Sequence, residues 1–311
     1  MTLKETGGPF RIWPKRQCRQ IWIRYRWSVA QKVAFRRNIR YGKKVRNKDG
    51  NNAFMIIALV NNKGGVAKTT CAVNLSAALA KPARRVLLVD LDSQGSASFS
   101  LGVTRADLRP SAADVLLDGM PIQKAIRHTA VEGLDVVTGS MELANADLVL
   151  ADSRGRENRL KDALTPIREN YGFIIVDCPP SLSLLPINAL VAADTFIVPV
   201  TPHYLALEGL VNLLEAIERM RQGFGMVASL LGFVLTMVDY RTRAATEIVE
   251  MIRSQYQTKV FRAEIRVNVR LTEAPSFGRT ILDYASSSTG AEAYRSLAAE
   301  VLLRCRKEGK K

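Results

Sequence analysis

The sequence predicts an α/β fold, a doubly wound and mostly parallel sheet with helices on both faces, and three observations predict it. Apolar runs of strand length alternate with helix-length segments from Met55 onward. Two of those runs are apolar almost throughout and end in acidic residues, and a glycine-containing turn joins the first strand to the first helix. Strand–helix alternation makes crossovers and hence parallel neighbours, and a strand buried on both faces has to be apolar along its whole length. At 311 residues the chain can bury a sizeable core, and an apolar fraction of 47% is that of an ordinary globular protein.

Composition excludes several classes. No apolar run reaches the roughly 18 residues that a membrane-spanning helix needs. Cys18, Cys71, Cys178 and Cys305 are scattered without paired spacing, which argues against a disulfide framework or a zinc site and fits a reducing cytosol. His128 and His203 have no metal-like neighbours in sequence and are expected at surface or hydrogen-bonded core positions. The net charge of +16 is unevenly spread, because residues 1–54 hold 15 of the 45 Lys and Arg residues against Glu5 and Asp49. That segment carries +13 and the remainder only +3.

The expected organisation is a basic N-terminal extension over 1–54 and a strand–helix domain over 55–308. The extension contains Trp13, Trp22 and Trp27 among its basic residues. Basic residues interleaved with aromatics can bind nucleic acid by phosphate contact and stacking. An Arg-rich, acid-poor targeting peptide, a small helical DNA-binding extension, and a stretch that is disordered or extraneous to the natural protein are competing readings.

Residues 55–60 (Met-Ile-Ile-Ala-Leu-Val) have strand composition and 71–80 have helix composition. Between them, 61–70 read Asn-Asn-Lys-Gly-Gly-Val-Ala-Lys-Thr-Thr. Strand, glycine-containing turn and helix in that order form the context of a phosphate-binding loop. Gly64 and Gly65 let backbone N–H groups approach a polyphosphate, and the following helix aims its positive end at the same place. Lys68 would reach the β- and γ-phosphates and Thr69 would place its hydroxyl on Mg²⁺. The strict pattern G-x-x-x-x-G-K-[ST] is not met, since Asn62 and Ala67 stand where it has glycines.

The loop instead resembles the deviant Walker A form, x-K-G-G-x-x-K-[ST], of the ParA/MinD superfamily of ATPases, in which Ala67 stands where most relatives carry glycine. The resemblance implies ATP and Mg²⁺ as cofactors, with residues Lys63, Gly64, Gly65, Val66, Ala67, Lys68, Thr69 and Thr70 around the nucleotide. It also implies a homodimer sandwiching ATP, in which Lys63 touches the nucleotide of the partner subunit. The run 85–92 (Arg-Val-Leu-Leu-Val-Asp-Leu-Asp) reads as a buried strand, and with 93–96 is similar to the family's D-x-D-P-Q-G-N switch motif. By that likeness Asp92 orients the attacking water, with Asp90 beneath it, while Ser93 and Ser96 replace the usual proline and asparagine.

Residues 111–117 are expected as a short helix, 134–138 as a strand and 156–171 as a mostly polar surface helix. The segment 173–180 (Phe-Ile-Ile-Val-Asp-Cys-Pro-Pro) is a strand ending in Asp177, the form of a Walker B element whose carboxylate holds Mg²⁺. Cys178 within it is expected to pack rather than react. Further strands are expected over 195–200 and 230–239, and helices around Leu207–Ile217, over 244–256 and from Ala291 to about Arg306.

The stretch 268–278 (Asn-Val-Arg-Leu-Thr-Glu-Ala-Pro-Ser-Phe-Gly) closely resembles a segment of chromosomal and plasmid ParA proteins. Asn268 matches a residue that contacts the nucleotide base in relatives, although Arg266 replaces a proline there. Arg241 and Arg270 match arginines that bind non-specific DNA. The polar terminus Arg-Lys-Glu-Gly-Lys-Lys is unlike the membrane-targeting helix of MinD relatives, so no membrane partner is expected. The implied activity is that of a ParA-type ATPase that dimerises on ATP, binds non-specific DNA and releases it on hydrolysis to segregate a chromosome or plasmid. It would act in the cytoplasm, associated with the nucleoid and stimulated by a ParB-like centromere-binding protein. A ParA relative positioning another cargo and a nucleotide-gated DNA-binding regulator with negligible turnover remain open.

Overall fold

The computed structural model describes residues 54–224 and 228–308. The basic extension expected over 1–54 lies outside the described residues, Phe54 excepted. Among the described residues one sheet contains β1 (Met55–Leu59), β2 (Val86–Asp90), β3 (Ile126–His128), β4 (Leu134–Val137), β5 (Phe173–Asp177), β6 (Thr195–Val200), β7 (Ser229–Val238) and β8 (Val260–Arg266). Their order is β3-β4-β2-β5-β1-β6-β7-β8. Each neighbouring pair is parallel except β3 with β4. In this register Leu59 of β1 and Asp90 of β2 both stand opposite Asp177 of β5, so three strands end in one row. The chain runs from β1 out to one side and returns to the other side through β6, so the β1 end is the crevice where open α/β sheets bind ligands.

Side chains alternate across the pleat and fill two core layers. Ile56, Ala58, Leu87, Val89, Ile174 and Val176 face one layer, while Ile57, Leu59, Leu88 and Ile175 face the other. The first layer is closed by α2 (Leu184–Ala192), α3 (Tyr204–Phe224) and α4 (Arg243–Tyr256), through residues such as Leu190, Leu213 and Ile252. The second is closed by α1 (Lys68–Leu79) and α5 (Thr289–Glu308), through Leu75, Tyr294 and Val301. Each fully buried aliphatic side chain of this kind contributes about 1.5–3 kcal/mol. Because α1 begins where β1 and its loop end, packing Leu75 and Leu79 against the sheet also fixes the helix N-terminus over the row of strand ends.

The segment expected as one polar helix over 156–171 is instead two short 3₁₀ turns flanking Arg159–Leu164. Pro166 has no N–H to continue the α-helical ladder, and Leu160, Leu164 and Ile167 are buried rather than exposed. The sequence reading also omits β3 and β8, the two edge strands. Among the described residues no helix is long and apolar enough to cross a membrane.

Side chains engage the backbone of β8 where its pairing with β7 is irregular. Glu300 of α5 accepts the amides of Arg262 (2.8 Å) and Ala263 (3.2 Å). Arg253 donates to the Phe261 carbonyl at 3.2 Å, and Arg304 to that of Val260 at 2.9 Å. Glu300→Ala should therefore lower stability by about 1–3 kcal/mol, since two backbone N–H groups lose their acceptor and Arg304 its partner. Urea unfolding of the variant against the parent checks this.

Candidate active site

The loop after β1 is held so that its carbonyl oxygens face protein donors. Lys68 Nζ donates to the Lys63 carbonyl at 2.9 Å, the Thr236 hydroxyl to that of Val66 at 3.1 Å, and Cys71 N to that of Ala67 at 2.9 Å. Asn61 braces the loop's start, its Nδ2 donating to the Pro199 carbonyl (2.7 Å) and its Oδ1 accepting the Lys63 amide (3.0 Å). A loop that binds an anion has to turn its oxygens away and leave its N–H groups available, and these contacts achieve the first half. Gly64 and Gly65 are exposed at the loop's tip, and Gly65 has φ +69°, a conformation that glycine adopts without cost.

Ala67, directly before α1, has φ 59° and ψ 34°. This left-handed conformation costs a residue with a Cβ about 1–2 kcal/mol. Ala67 thus holds, at the cost of strain, a conformation that glycine would adopt without it.

Three carboxylates gather at the strand ends. Asp177 is fully buried beside Lys68, and burial, helped by the charge of Asp90, pushes its carboxyl well above the ordinary range. The Thr69 hydroxyl and Lys68 pull in the opposite direction, yet neither Asp177 oxygen receives a hydrogen bond of ordinary geometry. Asp90 is also fully buried; burial lifts its carboxyl to about 6 against donors from the Ser98 hydroxyl (2.8 Å), Ser98 N (3.0 Å) and Asp92 N (3.1 Å). Asp92 is half-buried and accepts the Gln94 amide at 3.0 Å. Lys68 is buried, and desolvation lowers its ammonium below the usual lysine range while Asp177 partly restores it. Gly139 backs this cluster so closely that a Cβ there would lie 2.3 Å from the Asp92 carbonyl.

An orphaned, buried carboxylate next to a hydroxyl fits a divalent cation. Thr69 and Asp177 are the residues that would hold Mg²⁺, which when bound neutralises developing charge on the phosphates.

Beside the loop, a cavity of about 280 Å³ is lined by Lys63, Gly64 and Gly65 on one side and by Thr201, Ala206 and Gly209 on the other. Lys63 lies across α3 at Gly209, where a Cβ would come within 2.7 Å of its Cε. The buried thiol of Cys178 is pushed well up by burial, which fits packing. His128 is exposed and its Nδ1 pairs with Asp135 at 2.6 Å.

The remaining expected residues lie at the surface. Asn268 caps the short helix Val269–Glu273, accepting Arg270 N at 2.9 Å, and donates to Thr289 at 3.0 Å. Arg241 pairs with Asp239 at 2.7 Å while 84% of its side chain stays exposed, and Arg270 pairs with Glu273 at 3.1 Å with 60% exposed. Asn61 and Thr236 were not picked out from the sequence. The available signal was a lone polar residue inside or directly after an apolar strand.

Residues 54–227 match the family described as AAA domain. The chain is 45% identical over 246 residues to the sporulation initiation inhibitor protein Soj of Bacillus subtilis, covering 79% of this chain and 97% of that protein. It is 43% identical over 249 residues to the chromosome partitioning protein ParA of Myxococcus xanthus, with 80% and 88% covered. The chain belongs to the ParA/Soj family of partitioning ATPases. It is therefore an ATPase that uses ATP and Mg²⁺. Among solved structures, a ParA/Soj chain of this kind is similar to the cobyrinic acid a,c-diamide synthase of Mycobacterium smegmatis with bound ATP analog and magnesium. That pair has 35% identity and a TM-score of 0.71, with 83% of this chain and 97% of that chain covered. The cell division ATPase MinD of Pyrococcus furiosus follows at 26% identity and a TM-score of 0.65, covering 81% and 99%.

Ala67→Gly should raise the stability of this ParA/Soj ATPase by up to about 1 kcal/mol, the relieved strain being partly offset by glycine's greater freedom in the unfolded chain. Thermal or urea unfolding reads the difference; a destabilised variant would contradict the strain at this position.

Proposed function

We propose that this ATPase segregates a chromosome or plasmid by dimerising on ATP, binding DNA without sequence preference and letting go on hydrolysis. The observation that carries the reading is the similarity to Soj and ParA proteins over most of their length. Support from geometry comes residue by residue. Lys68, buried at the loop's end, contacts the β- and γ-phosphates, and the amides of Gly64, Gly65, Val66, Ala67, Thr69 and Thr70 cradle them. Asp92, half-buried at the end of β2, orients the attacking water. Catalysis here is positioning and charge neutralisation around the γ-phosphate rather than covalent chemistry.

Lys63 leaves its place over Gly209 to reach the nucleotide of a second subunit, and Asn268 exchanges its contact with Thr289 for the base. Arg241 and Arg270 bind DNA phosphates. Each is exposed and pairs with a surface carboxylate, a contact that solvent and salt screen, so a phosphate can displace that carboxylate. A ParB-like protein bound to the centromere stimulates the hydrolysis that frees the dimer from the nucleoid, and no membrane is involved.

Asp92→Ala should bind ATP with about the parent's affinity while losing nearly all hydrolysis, because its carboxylate acts on water and not on phosphate. Calorimetry and a phosphate-release assay separate the two; turnover at the parent's rate would move the role elsewhere. The functional reading itself is tested by measuring DNA affinity of the full chain and of a protein starting at Met55, with ATP and with ADP, at several salt concentrations. The shorter protein should keep an ATP-dependent, salt-sensitive affinity, since dimerisation puts two copies of each arginine on one face. The basic extension should add a background indifferent to nucleotide. A Met55-start protein that binds ATP but never gains DNA affinity would overturn the partitioning cycle in favour of another cargo.

A further inference from the structure

β7 joins two places that the proposed cycle has to connect. Near its carboxyl end Thr236 is fully buried and donates its hydroxyl to the Val66 carbonyl of the phosphate loop at 3.1 Å, across 170 residues of sequence. Its neighbour Met237 has φ +51°, a left-handed conformation that costs a long side chain free energy, and is 46% exposed. The register with β8 slips at this point, Thr236 standing opposite Ile265 and Val238 opposite Arg266. Immediately beyond, Asp239 binds the amide and guanidinium of Arg241. The Val238 carbonyl accepts Val267 N at 3.2 Å, tying in the β8 end that leads to Asn268.

We propose that Thr236 is a positioning residue that sets the phosphate loop and couples its state to the surface turn carrying Arg241. The peptide between Val66 and Ala67 is planar and trans, so fixing its oxygen on Thr236 fixes its N–H in the opposite direction. Ala67 N–H is one of the groups available to an anion, and it borders a residue that is itself strained. An anion pulling on the loop changes the length of the Val66–Thr236 contact, and the adjoining element is a strand end held in a costly conformation. In this inference the strand end exchanges between an extended arrangement and the present one, and a contact of about one hydrogen bond would bias it. The coupling half of this inference rests on the partitioning reading; the loop half rests only on the ATPase activity.

The test uses full-length protein with Thr236→Val, which keeps the shape and removes the hydroxyl, and Thr236→Ser, which keeps the hydroxyl. ATP affinity by calorimetry, KM and kcat for ATP, thermal stability and the ratio of DNA affinities with ATP and ADP at saturating nucleotide are measured for each. Thr236→Val should weaken ATP binding and raise KM about fivefold to tenfold, the size of one lost hydrogen bond. It should also shrink the ATP-to-ADP ratio of DNA affinity at saturation, and Thr236→Ser should restore both. A folded Thr236→Val with parental ATP affinity overturns the positioning role. So does a loss that Thr236→Ser fails to restore, because packing of the methyl group then explains it. An unchanged DNA ratio in Thr236→Val, with weakened ATP binding, overturns the coupling. If the parent protein shows no ATP-dependent DNA affinity, the partitioning reading fails and takes the coupling with it, while ATP affinity still decides the role of the hydroxyl.

Discussion

A fully buried carboxyl group with no hydrogen bond of ordinary geometry on either oxygen is costly for a folded chain, and Asp177 is one. The sheet register leaves little choice about its surroundings. Asp90 stands directly opposite on β2, and the ammonium of Lys68 is the nearby group of opposite sign. Desolvation therefore works against Asp177, Asp90 and Lys68 together. In the ATPase site proposed above, a divalent cation and a polyphosphate would supply charges that offset that cost. The two packed layers beneath form a frame that keeps the charges from simply moving apart.

The same frame controls the loop. Its oxygens are pinned one by one, from within the loop, from α1 and from the distant strand β7. Rigidity of this kind carries conformational cost, visible in the left-handed backbone of both Ala67 and Met237. These two positions lie on either side of one hydrogen bond, between Val66 and Thr236. In the proposed cycle such elements would be of use, because near a balance point a small change in contact energy redistributes them.

Much of this was legible in the sequence, for physical reasons that also mark where legibility stops. β1, β2, β5 and β6 are buried on both faces and so are written as apolar runs, with Asp90 and Asp177 closing two of them. β8 carries Arg262, Glu264 and Arg266 on a sheet edge and lacks that signature, while β3 is three residues long and largely accessible. The segment from Arg156 to Asn170 has helix-like spacing, but a proline within it divides the structure. Within the candidate site, Gly64, Gly65, Lys68 and Asp177 stand out in the sequence because the pattern that marks them is local. Asn61 and Thr236 act on carbonyls 138 and 170 residues away, and no local pattern encodes such a contact.

The outer edge of β8 has a consequence for how copies of this chain can associate. Open sheet edges invite another strand, since their free amides and carbonyls accept any backbone in reach. Here Glu300 holds the amides of Arg262 and Ala263, while Arg253 and Arg304 cover neighbouring carbonyls, so side chains already engage part of the backbone of this edge strand. A continuous sheet running from one subunit into the next through β8 is thereby disfavoured. A dimer of the kind proposed above would then not form by extending the sheet through β8, and an interface made of side chains can open and close without unzipping a ladder of backbone bonds.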